Sequence, residues 1–532
     1  MRKKLLLFIG LGFLLLLTGC WGSDDVADIP LGADGEELPT ITMLRPDLSH
    51  TRPPASELWM WQRYEEMTGV HVIWEEVTDF NEIRSLVLSR DVLPDVFFQT
   101  GWNAIEIQQH GSEGLFAPID HLIEEHAPNL HRLLEENPII RRALTMPDGH
   151  IYSIPYISMD PMAGGRTFRT YINQRWLDNL GLDMPQTTEE FAEALIAFVN
   201  DDPNGNGIAD EHGWFMESGW FINILEEKLM GSYGIGNTGR HGIAQRMFVD
   251  DNDEVQLTIT SDEMREIWIY MNLLFEKGAI HPEAFAGIDS DRWRAEISES
   301  DILGAWTWVS PEFAGPTIEA SGDFVPIPFL EGPNGHTVLH TEPPIMGISS
   351  FIITTHAEDP AMILEWVDFF FSEEGSIFGF LGEEGVTFKI DENGNMVYVD
   401  EILNHVNGPQ IGSFQWLDFV WGGNFPFAEL PQYVIETARG LTPIVFDNID
   451  DDLLPEFFVT NMPATPEEAD EIFILNADIE NYITQARMAF ITGEWDIHND
   501  ADWNSYLDQL ERMGSDRLLE IRRAQFERFM QN

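Results

Sequence analysis

The chain of 532 residues carries 91 acidic against 29 basic side chains, a formal charge of −62, which excludes nucleic acid and anionic headgroups as partners of the folded body. Its 44% hydrophobic content and 17 tryptophans argue against disorder, and the length suits at least two lobes, each with its own core. A single cysteine, Cys20, excludes any disulfide within the chain, and we ascribe the acidity to a salty or alkaline exterior rather than to a function.

In chain order, the basic Met1–Lys4 start is followed by an apolar run, Leu5–Leu17, shorter than the roughly 20 residues a membrane-spanning helix needs. A basic start, a short apolar middle and a small-residue end make a secretory signal over residues 1–19. The ending "LTGC" resembles the bacterial lipobox, in which cleavage before cysteine is followed by acylation of its thiol. That resemblance implies that Cys20 is a lipid anchor on the extracellular face of the cell membrane. Residues 20–39, rich in Gly, Asp and Pro without apolar periodicity, form a flexible spacer. Order begins with a β-type run at Ile41–Leu44. A helix through "SELWMWQRYEEMTG" follows, with Leu58, Trp61 and Tyr64 on one face and Gly69 as its stop. "VHVIWEEV" is a strand, "FNEIRSLVLSR" a helix and "LPDVFFQT" a further strand. This alternation predicts βαβ units and parallel pairing.

Beyond residue 114 long stretches resemble one family. "GLFAPIDHLIEEHAPNLHRLLEENPIIRRALTMPDGHIYSIPY" and "YINQRWLDNLGLDMPQTTEEFAEALIAFVNDDPNGNGIADE" are similar to extracellular solute-binding lipoproteins of ABC importers, in the LplA-like group that includes alginate- and oligosaccharide-binding members. The likeness returns in "MREIWIYMNLLFEKGAIHPEAF", in "SSFIITTHAEDPAMILEWVDFFFSEEGSIFGFLGEEGV" and in "WNSYLDQLERMGSDRLLEIRRAQFERF". It implies an α/β, two-lobed, periplasmic-binding-protein-like fold of type II, with hinge crossovers and a helical C-terminal region. We place lobe one at 40–155 plus about 315–370, and lobe two at 156–314 plus about 371–532. The family further implies a receptor without catalytic residues. It acts as a monomer, closes on a carbohydrate ligand in the interlobe cleft and delivers it to an ABC permease in the membrane. Peptide or other small-metabolite cargo, or an extracellular carbohydrate-active enzyme, are the alternatives. The sequence shows no nucleophile elbow, no HExxH and no phosphate loop.

In "DPNGNGIADE", Asp202, Asn204 and Asn206 hold positions 1, 3 and 5 of an EF-hand-like loop, with Gly207 at 6 for the sharp turn. Ile208 at position 7 offers its carbonyl, and the later acids are Asp210 and Glu211, position 12 being Gly213. Related binding lipoproteins resemble this shortened loop in holding a structural Ca²⁺, to which hard oxygen ligands are suited. "DENGN" at Asp391–Asn395 echoes the motif without the later acids, and we expect a hairpin with Asn393-Gly394 at its tip.

Sugars meet receptors through aromatic platforms and planar polar groups. Candidates in loop-like contexts are Trp102, Tyr156, Trp214, Trp220, Trp306, Trp308, Trp416 and Trp421, each weighed against plain core packing. Arg45 after the first strand, and Arg166 and Arg169 near the first crossover, could take a carboxylated sugar or simply pair with the abundant acids. The apolar positions Leu507, Leu510, Met513, Leu518 and Ile521 fit helical core packing.

Overall fold

The computed structural model describes residues 35, 37–158, 169–215, 220–235, 246–250, 252–281, 284, 295–297, 300–308, 318, 321–337, 344–406, 408–419, 425–431, 434–435, 438 and 462–531. In chain order the strands are β1 (Thr40–Pro46), β2 (His71–Val77), β3 (Val96–Phe98), β4 (Ile154–Ser158), β5 (Arg169–Asn173), β6 (His212–Phe215) and β7 (Met247–Val249). There follow β8 (Val255–Leu257), β9 (Leu303–Trp308), β10 (Phe324–Pro326), β11 (Ile345–Ile353), β12 (Phe388–Ile390), β13 (Met396–Tyr398) and β14 (Ala428–Glu429). Of the helices, α1 (Trp59–Thr68), α2 (Phe80–Leu88), α3 (Ala104–Ser112), α4 (Thr188–Asn200), α5 (Trp220–Met230) and α6 (Asp262–Glu276) flank the sheets. α7 (Pro466–Ile491), α8 (Asp500–Met513) and α9 (Ser515–Gln531) make the C-terminal region.

Two sheets define two lobes. The first has six strands in the order β14-β4-β11-β3-β1-β2, and the second has four in the order β10-β5-β9-β6. β1 runs parallel to β2 and β3, as its alternation with α1 and α2 requires, whereas β11 enters antiparallel between β3 and β4. The local signals are plain. Gly69, at φ 65°, ends α1 in the left-handed conformation, where its amide bonds back to Glu65. Asp79 caps α2 by accepting from the Glu82 amide. Reciprocal capping boxes start α3 (Asn103 with Glu106), α4 (Thr187 with Glu190) and α7 (Thr465 with Glu468). β12 and β13 form the hairpin expected at Asp391–Asn395, with Gly394 at φ 87° and the Asp391 carboxylate accepting from the Asn393 and Asn395 amides.

Two boundaries differ from those the sequence suggests. β10 pairs with β5 in the second sheet, so the return to lobe one comes at β11 rather than near 315. Side chains from Ile363 to Ala438 are buried in the cluster of the first sheet, so lobe one continues well beyond 370. An apolar run signals burial but does not say which of two similar cores receives it.

The C-terminal helices belong mainly to lobe two, whose core takes up Ile479, Ile483, Phe490, Trp503, Tyr506, Leu510, Leu518 and Ile521. Gly514, at φ 97°, breaks the predicted stripe into α8 and α9. α7 lies on α6 and α9 and also touches α3 of lobe one. Its Arg487 reaches Glu226 of α5 at 3.0 Å, while Trp268 of α6 donates to the same carboxylate at 2.8 Å. At the far end of α9, Phe529 is buried with the apolar cluster of lobe one.

Close packing in lobe two shows at Gly304 of β9, where a Cβ would fall 2.6 Å from the Phe198 ring and 2.7 Å from the Gly213 carbonyl oxygen. Gly304→Ala is expected to lower the unfolding free energy by about 1–3 kcal/mol, measured by urea denaturation.

Candidate functional site

The crossovers locate the cleft. The chain leaves lobe one after Ser158 at the carboxyl end of β4, re-enters at Arg169 in lobe two, and returns between Pro326 and Ile345. The Ile345↔Ile157 pairing puts the start of β11 beside the end of β4. The carboxyl ends of β1, β3 and β4 therefore face the second lobe, the edge at which open α/β sheets bind ligands. On lobe two the corresponding edge holds Arg169, the end of β9 and the end of β6, through the pairings Arg169↔Trp308 and Phe215↔Trp306.

At the lobe-one edge, Arg45 is 1% exposed and does not stand open to a ligand. Its Nη1 donates to Asp418 at 2.5 Å and its Nη2 at 3.2 Å, a two-pronged bond. Arg52 donates to the same carboxylate at 2.7 Å and to the Asp418 carbonyl at 2.6 Å, and the Trp61 indole adds a third donor at 2.9 Å. Glu76 lies 3.9 Å from Arg45 Nε. Burial pushes the Asp418 carboxyl upward, but the two guanidinium groups overcome this and hold it below the usual carboxylate range. The Arg45 guanidinium also lies over the Trp74 and Phe98 rings at 5.5 and 5.4 Å. Beside it, Gln99 follows β3 with φ 57°, and its Oε1 accepts from Arg45 Nη2 at 3.5 Å. Arg52, Gln99 and Asp418 were not legible as a unit in the sequence. The stretch "FQWLDFVW" displays its tryptophans and hides its carboxylate.

Most of the candidate platforms whose side chains are described are packing side chains. Trp102 is 1% exposed among Phe80, Phe97, His110 and Phe116. Trp214 packs edge-on against Phe191, with its indole donating to Thr307. Trp306 sits in the small cluster with Tyr171 and Phe215, and Tyr156 stacks on Phe427 at 5.2 Å. All four are buried and present no open ring face. Trp416 is partly buried beside Trp59. The backbones of Trp220 and Trp308 lie at the start of α5 and the end of β9, on the cleft edge, while their side chains, with Cys20, Arg166 and Trp421, lie outside the described residues.

The 202–211 loop lies at the other end of lobe two, because β6 runs from His212 toward the cleft. The loop coils as the spacing predicts. The Asp202 carboxylate accepts from the Gly207 amide at 3.0 Å, Asn204 from the Asn206 amide at 2.9 Å and Asn206 from the Ile208 amide at 2.6 Å. The Asn206 amide group donates to both Asp210 oxygens at 3.2 and 3.3 Å. Asn204 also donates to the Asp301 carbonyl at 2.8 Å, tying the loop to the bend just before β9. Glu211 Oε1 is buried without a hydrogen-bond partner among the described residues. Burial, together with the Asp210 and Asp202 charges, pushes the Glu211 carboxyl up. An orphaned carboxylate oxygen among crowded acids fits a hard cation. Among the described residues no three His, Cys, Asp or Glu side chains converge as a ready-made metal cluster, and the expected ligand set draws on two amides and a carbonyl as well.

Two lobes joined by strand crossovers, each turning strand ends toward the other, are the architecture of a solute-binding clamp. Residues 49–377 match the model of the bacterial extracellular solute-binding proteins, and the chain belongs to that family. It is similar to the fructooligosaccharide ABC transporter substrate-binding protein FusA of Streptococcus pneumoniae, at 28% identity over 505 residues, 90% of this chain and 88% of FusA. Solved structures of FusA, as an EF-hand mutant with fructo-nystose and in complex with kestose, superpose with TM-scores of 0.69 and 0.67 at 25% and 26% identity, covering 93% of this chain and 100% of theirs. Lipoprotein LipO of Bacillus subtilis is 24% identical over 335 residues, 62% of each chain. An extracellular solute-binding protein of Bifidobacterium longum subsp. infantis shares the fold, with a TM-score of 0.72 at 22% identity over 94% of this chain and 100% of that one.

Removing the shared carboxylate takes the counter-charge from buried Arg52 and leaves Arg45 only Glu76, at 3.9 Å. Asp418→Ala is expected to cost about 3–5 kcal/mol, read from the urea midpoint. Because the folded pKa of Asp418 is depressed, its contribution is present above the unfolded value of about 3.9. It is lost as pH falls through the lower folded value, so wild type and Asp418→Asn should converge in stability only in strong acid.

Proposed function

We propose that this chain is the substrate-binding receptor of an ABC importer. Acylated Cys20 tethers it to the extracellular face of the cell membrane, and its lobes close on a carbohydrate, an oligosaccharide, which it hands chemically unchanged to a permease. The observation that carries this is the likeness to FusA, which spans 90% of this chain rather than one motif. The likeness to lipoprotein LipO supports the tether, as does the "LTGC" ending. Among the described residues no helix is long and apolar enough to cross a membrane. The charge balance supports a receptor that meets neither nucleic acid nor lipid surface through its folded body.

The residues do the work of a clamp. Rigid strand ends present the two edges, and the buried Arg45–Asp418–Arg52 group fixes the geometry of one of them. Closure excludes water, which strengthens each hydrogen bond between protein and sugar. With kestose and other neutral oligosaccharides, the chain lacking residues 1–20 should show a tryptophan fluorescence shift and return the glycan intact by chromatography. Release of shorter fragments would overturn the receptor assignment.

We include a structural Ca²⁺ in the same proposal, held by Asp202, Asn204, Asn206, the Ile208 carbonyl, Asp210 and Glu211. The orphaned Glu211 oxygen supports it, as does the existence of an EF-hand in FusA. Bound there, the ion would supply positive charge to neutralise the loop carboxylates, far from the cleft. Calcium should raise the melting temperature relative to chelator, and Asp202→Ala should abolish the difference. Identical melts for the wild-type chain in calcium and in chelator would remove the ion from the proposal.

A further inference from the structure

Gln99 combines three features that packing alone does not explain. Its φ of 57° lies in the left-handed region, which side chains other than Gly and Asn rarely enter, and such outliers collect at ligand sites. It stands at the carboxyl end of β3, on the cleft edge, where its amide donates to the Ser350 carbonyl at 2.9 Å and fixes the turn. The orientation of its side-chain amide follows from its neighbour. A guanidinium carries only donors, so the group facing Arg45 Nη2 at 3.5 Å is Oε1, and Nε2 points away from it. No hydrogen bond from Nε2 is found among the described residues, and Gln99 is partly exposed. The neighbouring Thr100 is buried, with its hydroxyl also lacking a partner among the described residues. Arg45 is itself held by Asp418, so the Gln99 amide keeps its NH2 group turned from the guanidinium on a partly exposed side chain.

We propose that Gln99 is a binding residue of the cleft, its Nε2 donating to an acceptor oxygen of a neutral sugar, with Arg45 and Asp418 as positioning residues. The inference rests on the carbohydrate function proposed above and extends it. With both described arginines of this edge turned onto one internal carboxylate, the edge offers a neutral donor to the cargo in place of a cation, which suits hydroxyl, ring or glycosidic oxygens better than a carboxylate.

The test separates affinity from stability. Gln99→Gly removes the donor and suits the left-handed backbone. Gln99→Glu keeps the shape and gains charge pairing with Arg45 but leaves no donor. Titration calorimetry with the full chain in detergent, against kestose, maltotriose, cellotriose and xylotriose, should show both variants binding the best of the four about tenfold more weakly. Their melting temperatures should stay at or above that of wild type. Wild-type affinity in either variant overturns the role of Gln99 and leaves the receptor assignment standing. Failure of the wild-type chain to bind any of the four removes both.

Discussion

The fold of lobe one turns on a single carboxylate sealed from water. Asp418 takes hydrogen bonds from Arg45, Arg52 and Trp61, groups that lie more than 350 residues earlier in the chain. Left alone, either arginine would be a buried charge in an apolar surround, a costly state. The first strand of the molecule is therefore electrostatically complete only after the segment behind β13 has come home. This imposes an order on assembly, because contacts of such separation need long loops to close. The strands of the second lobe are inserted within that span, and its core is completed by the C-terminal helices that follow it.

The same arrangement explains how the cleft edge can be polar without being soft. Strand ends supply fixed positions, aromatic rings behind them supply mass, and ion pairs supply orientation. Trp61 illustrates the combination: it stacks on Trp366 at 5.8 Å, meets Phe98 and Phe419 edge-on, and still donates to Asp418. Tryptophans in both lobes act mainly as filling with a polar handle, which is the commoner use of that residue.

Much of the fold was legible because local chemistry and the final structure agree. The first strand, α1 with its Gly69 stop, β2, α2 and β3 follow from alternation, periodicity and capping, and the Asn393-Gly394 hairpin follows from turn preference. The coil of the 202–211 loop was legible for the same reason, since the hydrogen bonds within the loop run between residues at most six apart. What failed to show was whatever depends on distant partners. Nothing in "FVPIPF" says that β10 joins the second sheet, because either core would accept it. Nothing near Trp102 or Trp214 says that these rings face inward, since short stretches after strands look like loops in either case. Asp418 was invisible because an acid among 91 acids carries no signal until the arginines that meet it are known.

The C-terminal helices add a constraint on motion. α9 seats Leu518 and Ile521 with lobe two and Phe529 with lobe one, while α7 lies against α3 across the divide. The chain crossings would by themselves let the halves twist and slide as well as swing. A stiff rod gripped at both ends removes those freedoms and leaves something closer to a door on a leaf hinge, with one axis of travel. On the receptor reading proposed above, one permitted trajectory would give the same silhouette at every closure, which is worth more than a wide range of postures.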